Sequence, residues 1–238
     1  MDKYINDNSI DCCFNSPPYN NNVSNKWFGG NSIAYSDNKT EDEYKKFIND
    51  VYSLATKKLK PTGHLFINIK SRIKNGVVHP PFWLLDLPFT KKIKLKGIII
   101  WVLTGSFDPA KNRYFNNYEY IFHFTKTDDY YFNELDQSSI WNLGHTMSKE
   151  ERTCHVAAFP IRVPEKAILA STKPNDLVFD PFSGSGSTAI AAKKNGRNYI
   201  GFEILEEFHK LGLERLEKVK QIEPKNTLGR WVKSTTTV

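Results

Sequence analysis

A single stretch, NDLVFDPFSGSGSTAIAAKKNGRNYIGFEI at residues 175–204, constrains the fold of this 238-residue chain more than any other feature. The apolar residues at 177–179 predict a short buried strand. Gly184 and Gly186 follow almost at once, and residues 187–194 have the composition of a helix. A strand that turns through glycines into a helix lets the backbone approach a ligand closely, so this segment predicts a binding loop.

The continuation of this stretch completes a unit that is typical of nucleotide binding. Residues 198–202 predict a second strand, and Glu203 stands at its end, where a carboxylate can accept hydrogen bonds from ribose hydroxyls. Two other interpretations remain open from these residues alone. The glycines could form the turn of an ordinary strand–helix–strand unit, and Gly184, Gly186 and Ala189 also fit the GxGxxA pattern of dinucleotide binding.

A second constraint lies near the amino terminus, where residues 10–15 predict a short buried strand that runs directly into Ser16, Pro17, Pro18 and Tyr19. Consecutive prolines cannot continue a sheet ladder or enter a helix interior, so the strand must stop there. The result is a stiff corner that presents a hydroxyl, carbonyl groups and an aromatic ring. It lies at the carboxyl end of its strand, which is where open α/β sheets bind their ligands.

Composition narrows the class of protein and its partners. A chain with 39% hydrophobic and 25% charged residues is typical of a globular protein, and no apolar run approaches the roughly 18 residues of a membrane span. Cys12, Cys13 and Cys154 lack metal-ligand spacing and are odd in number, which favours a reducing cytoplasm over a disulfide framework. The formal charge of +7 suits a polyanion such as nucleic acid, although a moderately basic protein without that partner is equally compatible.

Two segments between these features could contact nucleic acid. A polar loop at 20–38 contains aromatic residues that could either pack the loop down or stack on a base, and long loops are often functional. These aromatic residues are Trp27, Phe28 and Tyr35. Residues 71–96 interleave lysines with apolar side chains, so this segment could contact phosphates or form a solvated face.

Apolar periodicity predicts the remaining helices and strands. The predicted elements are a helix capped by Thr40 and Glu43 that ends near residues 61–63, strands at 64–69, 97–103 and 118–125, a short helix within 82–87, a helix after Pro164 and a last helix at 205–219. Residues 126–152 show no clear pattern, and we predict no structure for them.

The motifs at the two ends of the chain, taken together, resemble those of the β-class DNA amino-methyltransferases. This family is circularly permuted, with its catalytic half before its cofactor half, and the order and spacing of its motifs agree here from residue 8 to about residue 219. The matching segments are NSID at 8–11 with SPPY at 16–19, FP at 159–160 before PE at 164–165, DPFSGSGST at 180–188, and NGR at 195–197 with GFE at 201–203.

The resemblance implies an α/β fold, in which a circularly permuted, Rossmann-like S-adenosylmethionine-dependent methyltransferase sheet lies in a three-layer αβα arrangement. Relatives carry a further strand and helix before the catalytic motif, so we expect this sheet to be one strand short at the cofactor edge. The expected parts of one domain, 1–238, are a catalytic half at 1–126, a short target-recognition segment at 127–152, a cofactor-binding half at 153–222 and a loose tail at 223–238.

The resemblance also implies which residues act. The expected catalytic residues are Ser16, Pro17, Pro18 and Tyr19. The expected cofactor-binding residues are Phe159, Asp180, Phe182, Ser183, Gly184, Ser185, Gly186, Thr188 and Glu203, and no metal site is expected. The implied cofactor is S-adenosylmethionine and the implied partner is double-stranded DNA. Further candidate partners are a restriction endonuclease, a second methyltransferase subunit or a second copy of the chain. The expected location is the cytoplasm of a prokaryote or of a phage host.

The chemistry that this family performs gives the proline corner a role. An exocyclic amino group on a base is a poor nucleophile, because its lone pair is delocalised into the ring. Ser16 Oγ and the Pro17 carbonyl could accept hydrogen bonds from the two N–H groups of this amino group. Tyr19 could stack on a base that has left the duplex. No cysteine nucleophile is required, so we interpret the cysteines as structural.

The resemblance favours cytosine N4 as the target, because serine stands at position 16 where adenine enzymes usually carry aspartate. Adenine N6 methylation is the nearest alternative. A truncated, non-catalytic DNA-binding subunit is another, and methylation of RNA or of a protein glutamine ranks below both.

Overall fold

The computed structural model describes residues 1–20, 38–104, 111–133, 137–144 and 159–219. Its strands are β1 (Ile10–Asn15), β2 (Leu59–Ile69), β3 (Arg72–Lys74), β4 (Val77–His79), β5 (Lys94–Val102), β6 (Tyr118–Thr125), β7 (Ile140–Trp141), β8 (Leu177–Asp180) and β9 (Asn198–Gly201). Its helices are α1 (Glu41–Lys58), α2 (Arg162–Ser171), α3 (Ser187–Lys194) and α4 (Glu206–Glu217), with 3-10 turns at Pro81–Asp86 and Pro88–Lys92.

The main sheet has seven strands in the order β7-β5-β6-β2-β1-β8-β9. β6 runs antiparallel to both of its neighbours, while the other paired strands of this sheet run parallel to one another. The carboxyl ends of β1, β2, β8 and β9 therefore lie at one edge of the sheet, together with the first residues of β6. This arrangement confirms the predicted Rossmann-like α/β class and brings the two sequence motifs to the same edge.

The number of strands differs from the expectation of a sheet that is one strand short. The two-residue strand β7 pairs with β5 at the edge farthest from β8 and β9, and it brings the count to seven. On the other side the sheet ends at β9 within the described residues. The circular permutation and the proposed division of the chain into halves stay predictions.

Helices cover both faces of the sheet. One core holds the buried side of α1 and residues of the 3-10 turns, while the other holds α2 and α3. Alternate residues of β1 supply both cores, since Cys13 points into the first and Cys12 into the second. Both cysteines are buried and unpaired, as expected for structural residues, and burial raises the pKa of the Cys12 thiol to about 12. α4 packs outside α3 through a small cluster that includes Ile190 and Leu216.

Most predicted elements are confirmed, with shifted ends. Thr40 accepts a hydrogen bond from Glu43 N, and the Glu43 side chain accepts one from Thr40 N, which completes the predicted capping box. The helix ends at Lys58, earlier than predicted, because β2 already begins at Leu59. The predicted helix after Pro164 begins two residues earlier at Arg162, because proline is tolerated in the first turn of a helix.

Several predictions fall on parts of the chain that the structure does not describe. These are the aromatic residues of the 20–38 loop, Cys154, residues 134–136 and 145–152 of the target-recognition segment, and the tail. They stay predictions.

A buried histidine pair, His64 and His123, joins β2 to β6. His64 Nε2 lies 2.9 Å from the Tyr131 carbonyl oxygen and must donate to it, so its Nδ1 accepts from His123 Nε2 at 3.0 Å. Burial lowers the pKa of His64 to about 4 and the pKa of His123 to about 3. Both rings are therefore neutral in the folded protein at neutral pH.

We expect the free energy of unfolding to fall as the pH drops from 6.5 toward 4. In this window the unfolded chain binds protons on both histidines and the folded chain does not, so each histidine costs about 1.6 kcal/mol between pH 6.5 and 5. Urea unfolding at pH 7.5 and 5 checks this. A His64→Gln/His123→Gln double variant should lose most of the difference, and His79→Gln, on exposed β4, should retain it. An equal loss in wild type and double variant would contradict the prediction.

Candidate active site at the carboxyl edge of the sheet

Two tyrosines of α1 restrain the proline corner at residues 16–19 and the residue before it by hydrogen bonds. Tyr44 donates its hydroxyl to the Pro18 carbonyl at 2.7 Å, and Tyr52 donates to Asn15 Oδ1 at 2.6 Å. Both tyrosine side chains are fully buried in the core. The corner therefore has little freedom to move, since the ring geometry of its prolines and these hydrogen bonds both restrain it.

Four polar side chains from three strand ends meet at this corner. The Ser16 and Tyr19 hydroxyls lie 2.9 Å apart. Tyr19 donates to Glu119 Oε2 at 3.0 Å, and Asn68 Nδ2 donates to the same oxygen at 2.7 Å. The Asn68 amide nitrogen also lies 3.5 Å from Ser16 Oγ and 3.4 Å from the Tyr19 hydroxyl. This polar cluster, Ser16, Tyr19, Asn68 and Glu119, joins β1, β2 and β6.

Two properties of the polar cluster matter for chemistry. Burial and the nearby Glu119 carboxylate raise the pKa of Tyr19 well above its usual range, so its hydroxyl keeps its proton. Asn68 is buried, and its Oδ1 has no hydrogen-bond partner among the described residues. Buried polar atoms without a partner are uncommon and often mark functional sites.

The glycine loop after β8 forms a second cluster at the same edge. Phe182 N donates to Asp180 Oδ1 at 2.9 Å, and burial raises the pKa of the Asp180 carboxyl to about 7. Gly184 and Gly186 both have positive φ angles, 52° and 82°, which side chains other than glycine rarely adopt. The Ser183 hydroxyl is buried here without a partner among the described residues.

Glu203 closes the glycine loop from the end of β9. Its two carboxylate oxygens accept hydrogen bonds from Gly184 N and Leu205 N, both at 2.8 Å. Burial raises the pKa of Glu203 above its usual range. Each carboxylate oxygen retains a further lone pair, so this side chain can hold the loop and still accept from a ligand.

The other predicted cofactor residues surround this loop. Arg215 of α4 donates to the Ser185 carbonyl at 2.5 Å and to its hydroxyl at 2.9 Å. The hydroxyl of Ser187, the first residue of α3, donates to the Phe159 carbonyl at 3.1 Å, and Thr188 follows it, buried. A Cβ on Gly186 would lie 3.4 Å from the Cα of Gly212, so α4 packs closely against the turn.

The two clusters lie on neighbouring strands. β1 pairs directly with β8, so the corner that carries Tyr19 and the loop that carries Gly184 leave the same edge side by side. Asp11 strengthens this pairing by accepting from Leu177 N at 2.9 Å. The structure thus brings together the residues that the sequence assigned to catalysis and to cofactor binding.

Sequence reasoning missed two members of the polar cluster, Asn68 and Glu119. Each is a polar residue within a strand that otherwise reads as apolar or aromatic, HLFINI and YEYIFHFT. A polar residue in a buried strand is the signal that could have found them. Their meeting with Ser16 depends on the strand order, which the residues alone did not give.

The described residues contain no group of three or more His, Cys, Asp or Glu side chains that could hold a metal ion. Among these same residues, no helix has the length and apolar character needed to cross a membrane.

Comparison with known proteins identifies the family. Residues 10–214 match the model of the DNA methylases that act on N6 or N4 amino groups, so the chain belongs to this family. The type II methyltransferase M.BglII of Bacillus subtilis is 28% identical over 86% of this chain and 62% of its own length. The DNA adenine methyltransferase YhdJ of Escherichia coli K12 is 28% identical over 90% of this chain and 79% of its own length.

Solved structures agree on the fold. The PvuII DNA methyltransferase, described as cytosine-N4-specific, superimposes with a TM-score of 0.75 at 21% identity, covering 90% of this chain and 81% of that one. The Thermus thermophilus protein TTHA0409, solved in complex with S-adenosyl-L-methionine, gives 0.67 at 20% identity, covering 91% and 88%. At these identities the likeness concerns the fold.

Proposed function

We propose that this protein is a site-specific DNA methyltransferase of a prokaryotic or phage restriction-modification system, which moves a methyl group from S-adenosylmethionine to the exocyclic N4 of a cytosine flipped out of the duplex. The observation that carries this proposal is the adjacency of the proline corner after β1 and the glycine loop after β8. Membership in the DNA methylase family and the type II relative M.BglII support it.

The glycine loop fits S-adenosylmethionine. Glu203 would accept from the ribose hydroxyls, and Gly184 and Gly186 would leave room for close approach. The Ser183 hydroxyl, which has no partner among the described residues, would be available to a polar ligand. Phe159, Phe182, Ser185 and Thr188 would complete the pocket, and Asp180 would face the cationic part of the cofactor. When bound, S-adenosylmethionine supplies an electrophilic methyl group on a sulfonium.

The proline corner fits the amino group that receives the methyl. Acceptors on the two N–H bonds of the amino group would hold it nearer to tetrahedral and free its lone pair for in-line attack. Ser16 Oγ and the Pro17 carbonyl are the candidates, and the prolines keep them in place before the base arrives. Such pre-positioning supplies much of an enzyme's rate.

The choice of cytosine over adenine rests on Ser16 at the first position of the motif. The named relatives include an adenine methyltransferase and the named structures include a cytosine-N4 enzyme, so adenine N6 is the alternative target. Both reactions use the same attack by an exocyclic amino group, and the pocket for the ring decides between them.

Methyl transfer from labelled S-adenosylmethionine to duplex DNA, followed by nucleoside analysis, tests the proposal. We expect N4-methylcytosine. N6-methyladenine would move the target to the alternative base, and 5-methylcytosine would refute the mechanism. Calorimetry with the cofactor tests the other alternative, a non-catalytic DNA-binding subunit. Such a subunit would bind DNA without binding the cofactor.

The ribbon formed by β3 and β4 is the surface that we propose contacts DNA beside the target base. It follows Asn68 of the polar cluster after only a few residues, and the Arg72 guanidinium anchors it to Glu41 of α1 at 3.0 and 2.6 Å. Ile73, Val77 and Val78 are exposed on it. A two-stranded ribbon fits the major groove of DNA, and apolar side chains there can contact thymine methyl groups.

We expect an Ile73→Ser/Val78→Ser double variant, altered at a cross-strand pair of β3 and β4, to bind duplex DNA about 10-fold more weakly, since it loses apolar burial in the complex. Fluorescence anisotropy measures this. Leu95→Ser/Ile140→Ser removes exposed apolar side chains of similar size elsewhere and should leave affinity unchanged. Equal effects of the two double variants would contradict a specific role for the ribbon.

A further inference from the structure

We propose that Glu119 is a positioning residue that sets the direction of the hydrogen bonds around Ser16, so that Ser16 Oγ presents a lone pair, and not its proton, to the substrate. This inference rests on the proposed function, because it concerns the amino group that Ser16 would contact. It assigns a role to a side chain that no motif in the sequence indicated.

Glu119 reaches the site because β6 runs antiparallel to its neighbours. As the second residue of β6, it lies at the same sheet edge as the carboxyl ends of β1 and β2. It is half-buried, and its Oε2 receives two donors, the Tyr19 hydroxyl at 3.0 Å and Asn68 Nδ2 at 2.7 Å. Among the described residues, it is the carboxylate that accepts from Tyr19 and Asn68.

A carboxylate has no proton to give, so each of its hydrogen bonds has a known direction. Tyr19 must donate to Glu119, which uses its single proton. The bond between Tyr19 and Ser16, 2.9 Å long, must then have Ser16 as its donor. The Ser16 proton points toward Tyr19. One lone pair of Ser16 Oγ faces Asn68 Nδ2 at 3.5 Å, and the other is available to accept from the substrate.

This direction matters for the proposed chemistry. A hydroxyl beside an exocyclic amino group could either accept from an N–H bond or donate to the nitrogen lone pair. The first arrangement frees the lone pair for attack on the methyl group, and the second ties it up. Without Glu119, either direction would be open to Ser16 and Tyr19.

Two further observations support the same direction of the hydrogen bonds. The raised pKa of Tyr19 keeps its hydroxyl protonated, so it remains a donor to Glu119. The bond from Asn68 Nδ2 to Glu119 also fixes the orientation of that amide, which leaves Oδ1 as a buried acceptor without a partner among the described residues. One carboxylate thus orients a donor on β2 and a donor in the corner that follows β1.

Glu119→Met tests the inference, because it keeps the length of the side chain and removes both carboxylate oxygens. Tyr19 then has no carboxylate to donate to, so Tyr19 can donate to Ser16 and Ser16 can donate to the substrate. We expect kcat for methyl transfer to fall about 100-fold, comparable to the loss of one oriented group in an active site, with KM for DNA nearly unchanged. The control is Glu165→Met, which changes a half-buried glutamate of α2 that contacts Asn195 and Lys194.

A double variant distinguishes an effect on the direction of the hydrogen bonds from a structural need for Glu119. In Asn68→Asp/Glu119→Met, the carboxylate moves to position 68, where the replaced amide nitrogen lay 3.4 Å from the Tyr19 hydroxyl. Tyr19 can donate to it, so the original direction returns and we expect at least a partial recovery of kcat. A Glu119→Met enzyme as fast as wild type, or a double variant as slow as Glu119→Met, would overturn the inference.

A measurement on the protein without substrate keeps this test independent of the proposed function. The Raman doublet of tyrosine differs between a phenol that donates strongly and one that mainly accepts, and subtraction of the Tyr19→Phe spectrum isolates Tyr19. We expect a strong donor signal in wild type and a shift toward the acceptor signal in Glu119→Met. The same Raman signal in both proteins would overturn the inference. A wild-type protein that transfers no methyl group would refute only the proposed function.

Discussion

Ser16→Ala should lower kcat for methyl transfer about 100-fold while leaving the affinities for cofactor and DNA unchanged. The substitution removes the hydroxyl that would accept from the amino group of the base, and this contact gains strength only as the lone pair is freed for attack. The corner itself should keep its shape, because Pro17, Pro18 and the bond from Tyr44 to the Pro18 carbonyl remain. Single-turnover kinetics with labelled cofactor measures the effect.

Ser9→Ala provides the control for this prediction. Ser9 precedes β1, at the opposite end of that strand from the corner, and its hydroxyl donates to the Asn6 carbonyl at 2.7 Å. The Ser9→Ala variant loses a serine hydroxyl outside the site, so it should retain the full kcat. An unchanged kcat in Ser16→Ala would show that the serine hydroxyl takes no part in methyl transfer.

Glu203→Ala should weaken the binding of S-adenosylmethionine about 100-fold, which corresponds to about 3 kcal/mol. The variant loses the expected acceptor for the ribose hydroxyls, and it also releases Gly184 N and Leu205 N, which the carboxylate holds at 2.8 Å. Hydrogen bonds to a charged group typically contribute about 1.5–3 kcal/mol each. Isothermal titration calorimetry with the cofactor measures the change.

Glu207→Ala is the matched control, because Glu207 is an exposed glutamate in the first turn of α4. Its loss should leave the cofactor affinity as in wild type. If Glu203→Ala bound the cofactor as tightly as Glu207→Ala, the cofactor would have to lie away from the end of β9.

Local pattern predicted much of the fold. The sequence placed α3 at its observed residues, because the glycine turn and Asn195-Gly196 mark both of its ends, and it placed β6 equally well from its run of aromatic and β-branched residues. The Thr40 and Glu43 capping box gave the start of α1. These features depend on neighbours in the chain, which is why they can be predicted from it.

The sequence did not predict two features of the fold, the ribbon of β3 and β4 and the strand β7. Asn75-Gly76 is a strong turn signal, yet the ribbon of β3 and β4 was missed because the surrounding lysines and prolines suggested an exposed segment or a short helix. β7 has only two residues and forms by pairing with β5, so it carries almost no pattern of its own. Its pairing raised the number of strands to seven.

The sequence by itself determined the two chemical ends of the site, the proline corner with Ser16 and the glycine loop with Glu203. Proline rings, glycine backbones and the ends of strands impose their geometry locally, whatever the rest of the chain does. Only the tertiary structure decided that Glu119 and Asn68 join Ser16, since three strands far apart in the chain must pair in one order before these side chains meet. Hydrogen bonds act over about 3 Å, so the direction of the Ser16 hydroxyl depends on that pairing and not on the motif that contains it.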